Sequence, residues 1–473
     1  MTQLLDEVRR FAAREVAPLA LDRSGSIPPH VLEGLRTLGL FGLTLPAQYG
    51  GAALGLPEAC AVVSALAEVD RSVAVTLGLH LGLGTRGLVE YGGAPLKQRY
   101  LPALASGARI AAFCATEPGA GSDLSLLATR LSPQPNGFSL SGQKAFVTNG
   151  ALSGVLTVVA QERTETGAAR TRLAVVDPAQ RGVSIGAEEK KLGLKASSTT
   201  PIFFDEVAVP ADAVLGEPDA GATQLAQVLC WGRLLMSAGC VGAARTAVGR
   251  AAAHVAERRQ FKRPLAAQEV VQQRLGSMSA RLFAMRALVA EAARSNSSEA
   301  LIALSTSAKL FCSESAFSLC DSALQLFGGA GYLEDTGLAL LLRDTRVTRI
   351  FEGANDVLWT HRGAIFATAA PEWGAKAAPG SAQKAALALR EVLVTEHGLR
   401  LLGKKEALHR LGVAAMWADV AAATWRAAQT KETRALAASM EAQALDGIAL
   451  ALRPEAQTCG ESCWAAALDA EWL

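Results

Sequence analysis

The stretch Arg349-Ile350-Phe351-Glu352-Gly353-Ala354-Asn355-Asp356-Val357 sets one carboxylate between two apolar residues and a glycine. It closes the run RDTRVTRIF, so Glu352 is expected at a helix end or in a turn. Ile350 and Phe351 would desolvate the carboxylate and raise its pKa toward the range of a general base. Alone, Phe-Glu-Gly reads as an ordinary glycine-terminated turn, and its surroundings decide its meaning.

Outward from this stretch the texture of the chain changes three times. Residues 1–110 carry apolar side chains at three-to-four spacing over 11–16, 31–38, 59–69 and 96–104, which predicts a helical domain. From 111 to 219 the short runs FSLSG, AFVTNG, LTVVAQ, TRLAVVD, GVSIG and PIFFDEVAVP alternate with Gly, Pro, Asn and Asp turns, which predicts a small β-sheet or barrel. Helical periodicity returns over 220–370, broken at the GGAG of 328–331 and at Gly353, and predicts a four-helix bundle. PEWGAKAAPGSA (371–382) reads as a linker, and 383–473 as a short extra helical domain. The expected class is α+β, mostly α.

The bulk numbers exclude several functions. Lys+Arg 46 against Asp+Glu 44 leaves a formal charge of +2, without the basic field that nucleic-acid binding needs. Mean hydropathy is +0.23, yet charges or His interrupt the most apolar regions: His80 and Arg86 within 73–89, Arg233 within 224–243, Asp419 within 411–425. No transmembrane segment is expected. The start, MTQLLDEVRRFAAREVAP, has helix periodicity and acidic residues rather than the pattern of a signal peptide, which points to a cytoplasmic protein. The eight cysteines form no CxxC pair, and Cys114, Cys230, Cys240, Cys312 and Cys320 lie among apolar residues, as reduced core thiols do. Cys459 and Cys463 could share a helix face, but no matching pair suggests zinc.

One further motif is set aside and four gain meaning only together. Gly82, Gly84 and Gly87 spell GxGxxG but follow a helical stretch and lack the downstream acidic residue of a dinucleotide site. FCATEPGAGSD (113–123) offers hydroxyls and unshielded amides able to cradle a flat ring and a diphosphate. QKAFVTNG (143–150) supplies an aromatic at Phe146 and a hydroxyl at Thr148. ERRQFKRPL (257–265) and QLFGGAGYLED (325–335) offer guanidinium groups and close-approach glycines. Read singly, these are a turn, a strand end, a solvated basic face and a helix joint.

The cradle, aromatic, basic, glycine and FEGANDV elements, in this order, resemble the acyl-CoA dehydrogenase family over nearly the whole chain. LGLFGLTLPAQYGG, KLGLKASSTTPIFFDEVAVP and RDTRVTRIFEGANDVL add to the likeness. FEGANDVL, EKKLGLKAS and the extra unit after 370 are most similar to the very-long-chain branch.

The resemblance implies that Glu352 takes the α-proton of an acyl-CoA thioester while the β-hydrogen leaves as hydride to FAD, giving a trans-2-enoyl-CoA in fatty acid β-oxidation. It implies a flavin lined by Phe113, Cys114, Ala115, Thr116, Gly121 and Ser122 and covered by Phe146, Val147 and Thr148. Arg258, Arg259, Gln260, Gln325, Leu326, Phe327, Gly328 and Gly329 would reach the FAD of a neighbouring subunit, which implies a homodimer. Ala354, Asn355 and Asp356 would meet the nucleotide; Ser122, Cys230, Trp231, Gly232, Arg233 and Gly353 would meet substrate. An electron-transfer flavoprotein is the implied electron acceptor.

Three positions depart from the family pattern: Ala354 for Thr or Ser, Lys262 for Gly and Phe146 for Trp. Ala354 removes a hydroxyl worth about 1 kcal/mol of cofactor contact. A long-chain substrate is expected, although Gly82 and Gly84 suit either a deep pocket or close helix packing. An oxidase that uses oxygen, or a non-catalytic assembly protein of the same fold, are the alternatives.

Overall fold

The computed structural model describes residues 1–163, 169–369, 373 and 380–451. It comprises two compact units, Met1–Asn355 and Asp356–Leu473.

The first unit opens with helices α1 (Thr2–Phe11), α2 (Pro29–Thr37), α3 (Leu56–Ala67), α4 (Arg71–Leu79), α5 (Thr85–Tyr91) and α6 (Ala94–Ala105). The helical stretch expected before Gly82 is α4, and α5 is a helix the sequence did not single out. Asp70 starts α4 by accepting from Val73 N at 2.9 Å, which satisfies one of the amides a helix start leaves free. Between α4 and α5, His80–Gly84 forms a wider π turn. Hydroxyls take up carbonyls there: Thr85 Oγ1 donates to His80 O at 2.8 Å and Thr157 Oγ1 to Gly84 O at 2.9 Å.

The middle of the unit is an eight-stranded mixed sheet of β1 (Ile110–Cys114), β2 (Arg130–Gln134), β3 (Gly137–Thr148), β4 (Ser153–Arg163), β5 (Ala169–Val176), β6 (Val183–Ile185), β7 (Thr199–Pro210) and β8 (Val214–Leu215). Its order is β6-β7-β3-β2-β4-β5-β8, with β1 parallel to β4. FSLSG and AFVTNG, read as two runs, are one strand, β3. Register shifts at Leu140/Gly142 and Lys144/Val147 bend it against β7 and produce the break in its pattern. Phe113 and Cys114, expected in a loop, end β1, whose five residues are all buried.

The bundle consists of α7 (Gly221–Glu257), α8 (Glu269–Ala293), α9 (Ser298–Phe327) and α10 (Leu338–Arg346). A Cβ on Gly242 of α7 would lie 2.2 Å from Ser64 O, so glycine lets α7 touch the backbone of α3. Arg71 and Asp344, both buried, pair at 3.0 Å, and Asp344 also accepts from Leu194 N at 2.7 Å. One carboxylate thus fastens the helical, β and bundle parts together.

Two stretches, Arg71–Tyr91 and Gly221–Glu257, have the length and apolar content of membrane-crossing helices, and most of each is buried inside the protein. The six described cysteines are free and buried. Cys459 and Cys463 lie outside the described residues, as does most of the expected linker.

The second unit packs α11 (Asn355–Thr368), α12 (Ser381–His397), α13 (Lys405–Ala427) and α14 (Lys431–Ala451) around Phe366, Leu389, Leu411 and Ile448. A Cβ on Gly363 would meet Leu408 O at 1.8 Å and one on Gly412 would meet Trp359 O at 1.9 Å, so α11 and α13 cross backbone to backbone. Buried Arg362 and Asp419 pair there at 2.7 Å.

Candidate active site

Glu352 lies in the turn between the 3₁₀ turn Val347–Arg349 and α11, with φ 56°, and Gly353 follows with φ 96°. Left-handed backbone costs a non-glycine residue about 1–2 kcal/mol, so the surroundings must hold the turn in place. They do so through its carbonyls. Arg233 Nε, from α7, donates to Glu352 O at 3.3 Å, and Lys309 Nζ, from α9, donates to Gly353 O at 2.8 Å.

The side chain is partly exposed, but one of its oxygens is enclosed. Glu352 Oε2 is shut off from solvent and has no hydrogen-bond partner among the described residues. It lies against Gly232 of α7: a Cβ there would be 2.8 Å from Oε2 and 2.6 Å from Leu83. Burial pushes the Glu352 carboxyl up to about 7, while Lys309 and Arg233 pull it down. The expected cause of the shift needs correction. Ile350 is 55% exposed, so it does not desolvate the carboxylate; the close approach of Gly232 on α7 covers it instead.

The same packing settles the role of the first-domain glycines. A Cβ on Gly82 would meet Leu235 at 2.9 Å and one on Gly84 would meet Ala111 at 2.7 Å. Both serve close packing, and neither opens a deep pocket. No strand precedes them, so the GxGxxG pattern is a helical feature. His80 beside them is a core residue: Nδ1 accepts from Ala111 N at 3.0 Å, Nε2 lies 3.1 Å from Phe41 O, and burial lowers its pKa to about 4.

The substrate candidates on α7 separate by face. Arg233 is buried on the Glu352 turn and Gly232 touches the carboxylate. Trp231 stacks under Arg86, whose guanidinium carbon lies 3.8 Å from the ring centroid. Cys230 is wholly buried and donates to Ala226 O at 3.1 Å.

The loop of 115–123 is built on a buried ion pair. Lys144, with its side chain fully enclosed, donates to Glu117 Oε1 at 2.7 Å and Ala115 O at 3.0 Å. Glu117 also accepts from Ala128 N at 2.6 Å and Thr129 N at 3.0 Å. Burial alone would raise its pKa, but hydrogen bonds from Lys144, Thr129 and Ala128 outweigh it and hold the carboxyl below its usual range. Ala145 N donates to Thr116 O at 2.8 Å, which brings the Thr116 loop beside Phe146.

The loop is open on its outer side. A Cβ at Gly119 or Gly121 would meet nothing within 4 Å, Ser122 is exposed, and Phe146 is 65% exposed with φ 56°. Open amides, hydroxyls and an outward aromatic fit a flavin. The side chains of Phe113, Cys114 and Val147 belong to the core, which leaves only their backbone groups for the expected flavin contacts; along β3 the exposed Phe146 is followed by the buried Val147. Ala115, Thr116, Gly121, Ser122, Phe146 and Thr148 are the expected flavin residues here that are not buried.

Asn355 is another correction. It is buried, its Oδ1 accepts from Lys309 at 2.5 Å, and its Nδ2 donates to Ser313 Oγ at 3.0 Å and Glu314 Oε1 at 2.7 Å. A side chain so fully engaged is not free for a nucleotide. Ala354 is partly exposed, and Asp356 is exposed at the start of the second unit.

Lys309, Ser313 and Glu314 were missed in the sequence. The signal was there: TSAKLFCSESA places Lys309 and Ser313 four apart on the buried face of an apolar helix, where a charge needs a reason.

Arg258, Arg259 and Gln260 are exposed at the end of α7, and Gln325, Gly328 and Gly329 are exposed at the end of α9. His254 stacks on Phe327, ring centroids 4.0 Å apart, so both groups share one end of the bundle. That end lies roughly 37 Å along α7 from Gly232, at 1.5 Å per residue. The hairpin Arg259–Gln260/Arg263–Pro264 projects Phe261, 86% exposed, and holds Lys262 at φ 67°, where the family's usual glycine would be unstrained.

The N-terminal, middle and C-terminal domain models of acyl-CoA dehydrogenase match residues 1–108, 112–207 and 219–365. A probable acyl-CoA dehydrogenase of Mycobacterium leprae is 34% identical over 359 residues, which cover 75% of this chain and 92% of that protein. This chain belongs to the acyl-CoA dehydrogenase family. The mouse mitochondrial very long-chain specific acyl-CoA dehydrogenase is 34% identical over 372 residues, covering 76% of this chain and 56% of the relative. The chain thus spans little more than half the length of that relative. Among solved structures, an acyl-CoA dehydrogenase from Bacillus anthracis complexed with FAD gives a TM-score of 0.84 at 25% identity, covering 95% of this chain and 87% of that one. Butyryl-CoA dehydrogenase from Megasphaera elsdenii gives 0.74 at 29% identity, covering 77% and 97%. Family membership gives the enclosed carboxylate at Glu352 and the open loop at 115–122 a common context.

Proposed function

We propose that this protein is an FAD-dependent acyl-CoA dehydrogenase that converts an acyl-CoA, of long chain by its likeness to the very-long-chain relatives, to the trans-2-enoyl-CoA in fatty acid oxidation. The observation that carries the reading is the enclosed Glu352 carboxyl, held near pKa 7 without a partner on Oε2. An α-proton next to a thioester is weakly acidic, and its removal needs a base stripped of water and stable donors. Arg233 and Lys309 fix the backbone of that base while leaving Oε2 free to accept a proton. The Glu352 backbone N–H is the donor for the thioester oxygen as charge develops there.

FAD, when bound, supplies the acceptor for the β-hydrogen. Thr116, Gly121 and Ser122 would hold it through amides and hydroxyls, with Phe146 against its ring. Trp231 and Gly232 would border the acyl chain. The second arginine and glycine group sits too far along α7 to line the same pocket, which supports a homodimer in which each subunit completes the other's FAD site. An electron-transfer flavoprotein as acceptor, and a cytoplasmic location, complete the proposal.

The test is a spectral titration of the purified, FAD-loaded protein with acyl-CoAs of graded length under anaerobic conditions. Bleaching of the flavin band, strongest with long chains, is expected. A protein that binds no FAD, or FAD that no acyl-CoA bleaches, would leave the fold without this function. Peroxide formed without an added acceptor would identify an oxidase instead.

A further inference from the structure

Two cations are buried beside the Glu352 turn, and both are directed at its backbone. Arg233 Nε holds the carbonyl of Glu352 and Lys309 Nζ that of Gly353, so successive carbonyls of a left-handed turn each meet a positive charge. Lys309, whose side chain is buried, makes its second contact to Asn355 Oδ1 at 2.5 Å. Asn355 passes on to Glu314 at 2.7 Å, and Glu314 takes two nitrogens of Arg349 at 2.9 Å each. The chain Lys309–Asn355–Glu314–Arg349 therefore brackets residues 349–355 from both ends.

Burying an ammonium costs several kcal/mol, and a neutral donor could satisfy the Gly353 carbonyl and the Asn355 amide more cheaply. What a neutral donor cannot supply is positive charge next to a carboxyl that has no donor of its own on Oε2. We propose that Lys309 is a positioning residue for the reaction: it holds the 352–355 turn and supplies the field that lets the enclosed Glu352 exist as a carboxylate. This rests on the reading of Glu352 as the base.

The electrostatics run in the same direction. Among the groups that lower the Glu352 pKa against burial, Lys309 comes first and Arg233 second. Burial lowers Lys309 itself to about 8, while Glu352 draws it back up. The other ionisable groups around the turn do not compete. Cys230 and Cys240 of α7 are thiols raised by burial, Cys240 to about 12; Glu314 of α9 is paired with Arg349; and His80 of the π turn is kept neutral.

The experiment follows the rate of flavin bleaching by a saturating acyl-CoA in single turnovers from pH 5.5 to 9, in FAD-loaded wild type, Lys309→Gln, Lys309→Arg and Asn355→Asp. The wild-type rate should rise through about pH 7. Lys309→Gln should move that midpoint up by about one pH unit, making the reaction about ten-fold slower near pH 6.5, with the gap narrowing as pH rises. Lys309→Arg keeps the charge and should keep the midpoint, whatever happens to the plateau. Asn355→Asp sets an anion against the ammonium and should also raise the midpoint, which keeps the test alive if Lys309→Gln does not fold. Unmoved midpoints in both neutralising variants would reduce Lys309 to a structural role and overturn the proposal. Glu352→Gln, run alongside, separates the two claims: full bleaching there defeats Glu352 as the base, whatever Lys309 does.

Discussion

Glu117 and the Oε2 atom of Glu352 are both shut off from solvent beside a buried lysine, and the two carboxyls end in opposite states. Glu117 accepts from Lys144 and from two backbone amides, and its carboxyl stays below the usual range. Glu352 has its lysine spent on a neighbouring carbonyl and nothing on Oε2, and it rises to about 7. Burial is common to both, so burial alone does not make a base. The difference is where the donors point: in the β domain they meet the carboxylate and build a loop, and in the bundle they meet the backbone and leave a carboxylate ready to take a proton.

The largest effect that could break this contrast is catalytic. Glu352→Gln in folded, FAD-loaded protein should slow flavin bleaching by about 10³-fold or more, since general base catalysis contributes about 10²–10⁴. The counterpart in the other region is structural: Lys144→Met leaves Glu117 buried without its cation and should cost about 3–5 kcal/mol in denaturant unfolding.

The two carboxyls should also give opposite pH dependences of stability. The folded pKa of Glu352 lies above its ordinary value of 4.5, so its contribution is whole below about 4.5 and is lost as pH rises to about 7. Over that window the loss amounts to about 3 kcal/mol. Glu352→Gln should therefore raise Tm relative to wild type at pH 8 and not at pH 4. Glu117 is depressed, so its contribution is present above 4.5 and is lost as acid carries the pH down through its folded pKa. The smallest expected effect lies at the projecting hairpin. Lys262→Gly should relieve the strain at φ 67° and gain about 1 kcal/mol in thermal unfolding, with no change in bleaching.

Much of this molecule was legible because its signals are local. Helix spacing, strand runs between turns and FEGANDV place Glu352 at a helix end or turn where the helical pattern of 220–370 breaks, and the structure has it in a turn there. What escaped depends on contacts distant in sequence. The source of desolvation was misjudged because Ile350 is adjacent in sequence yet exposed, whereas Gly232 is distant in sequence yet lies against the carboxylate. Asn355 looked available until Lys309, Ser313 and Glu314, more than forty residues upstream, engaged its amide. Lys309 was passed over because a lone lysine in a helix ordinarily faces water.

The claim that Glu352 is an enclosed carboxyl poised to accept a proton is tested most directly by its own titration. Infrared difference spectra of the FAD-loaded protein, with Glu352→Gln subtracted to isolate one carboxyl band, would follow its protonation from pH 4 to 9. The band of the protonated acid should disappear with a midpoint near pH 7. A midpoint at or below 4.5, the ordinary value, would contradict the account.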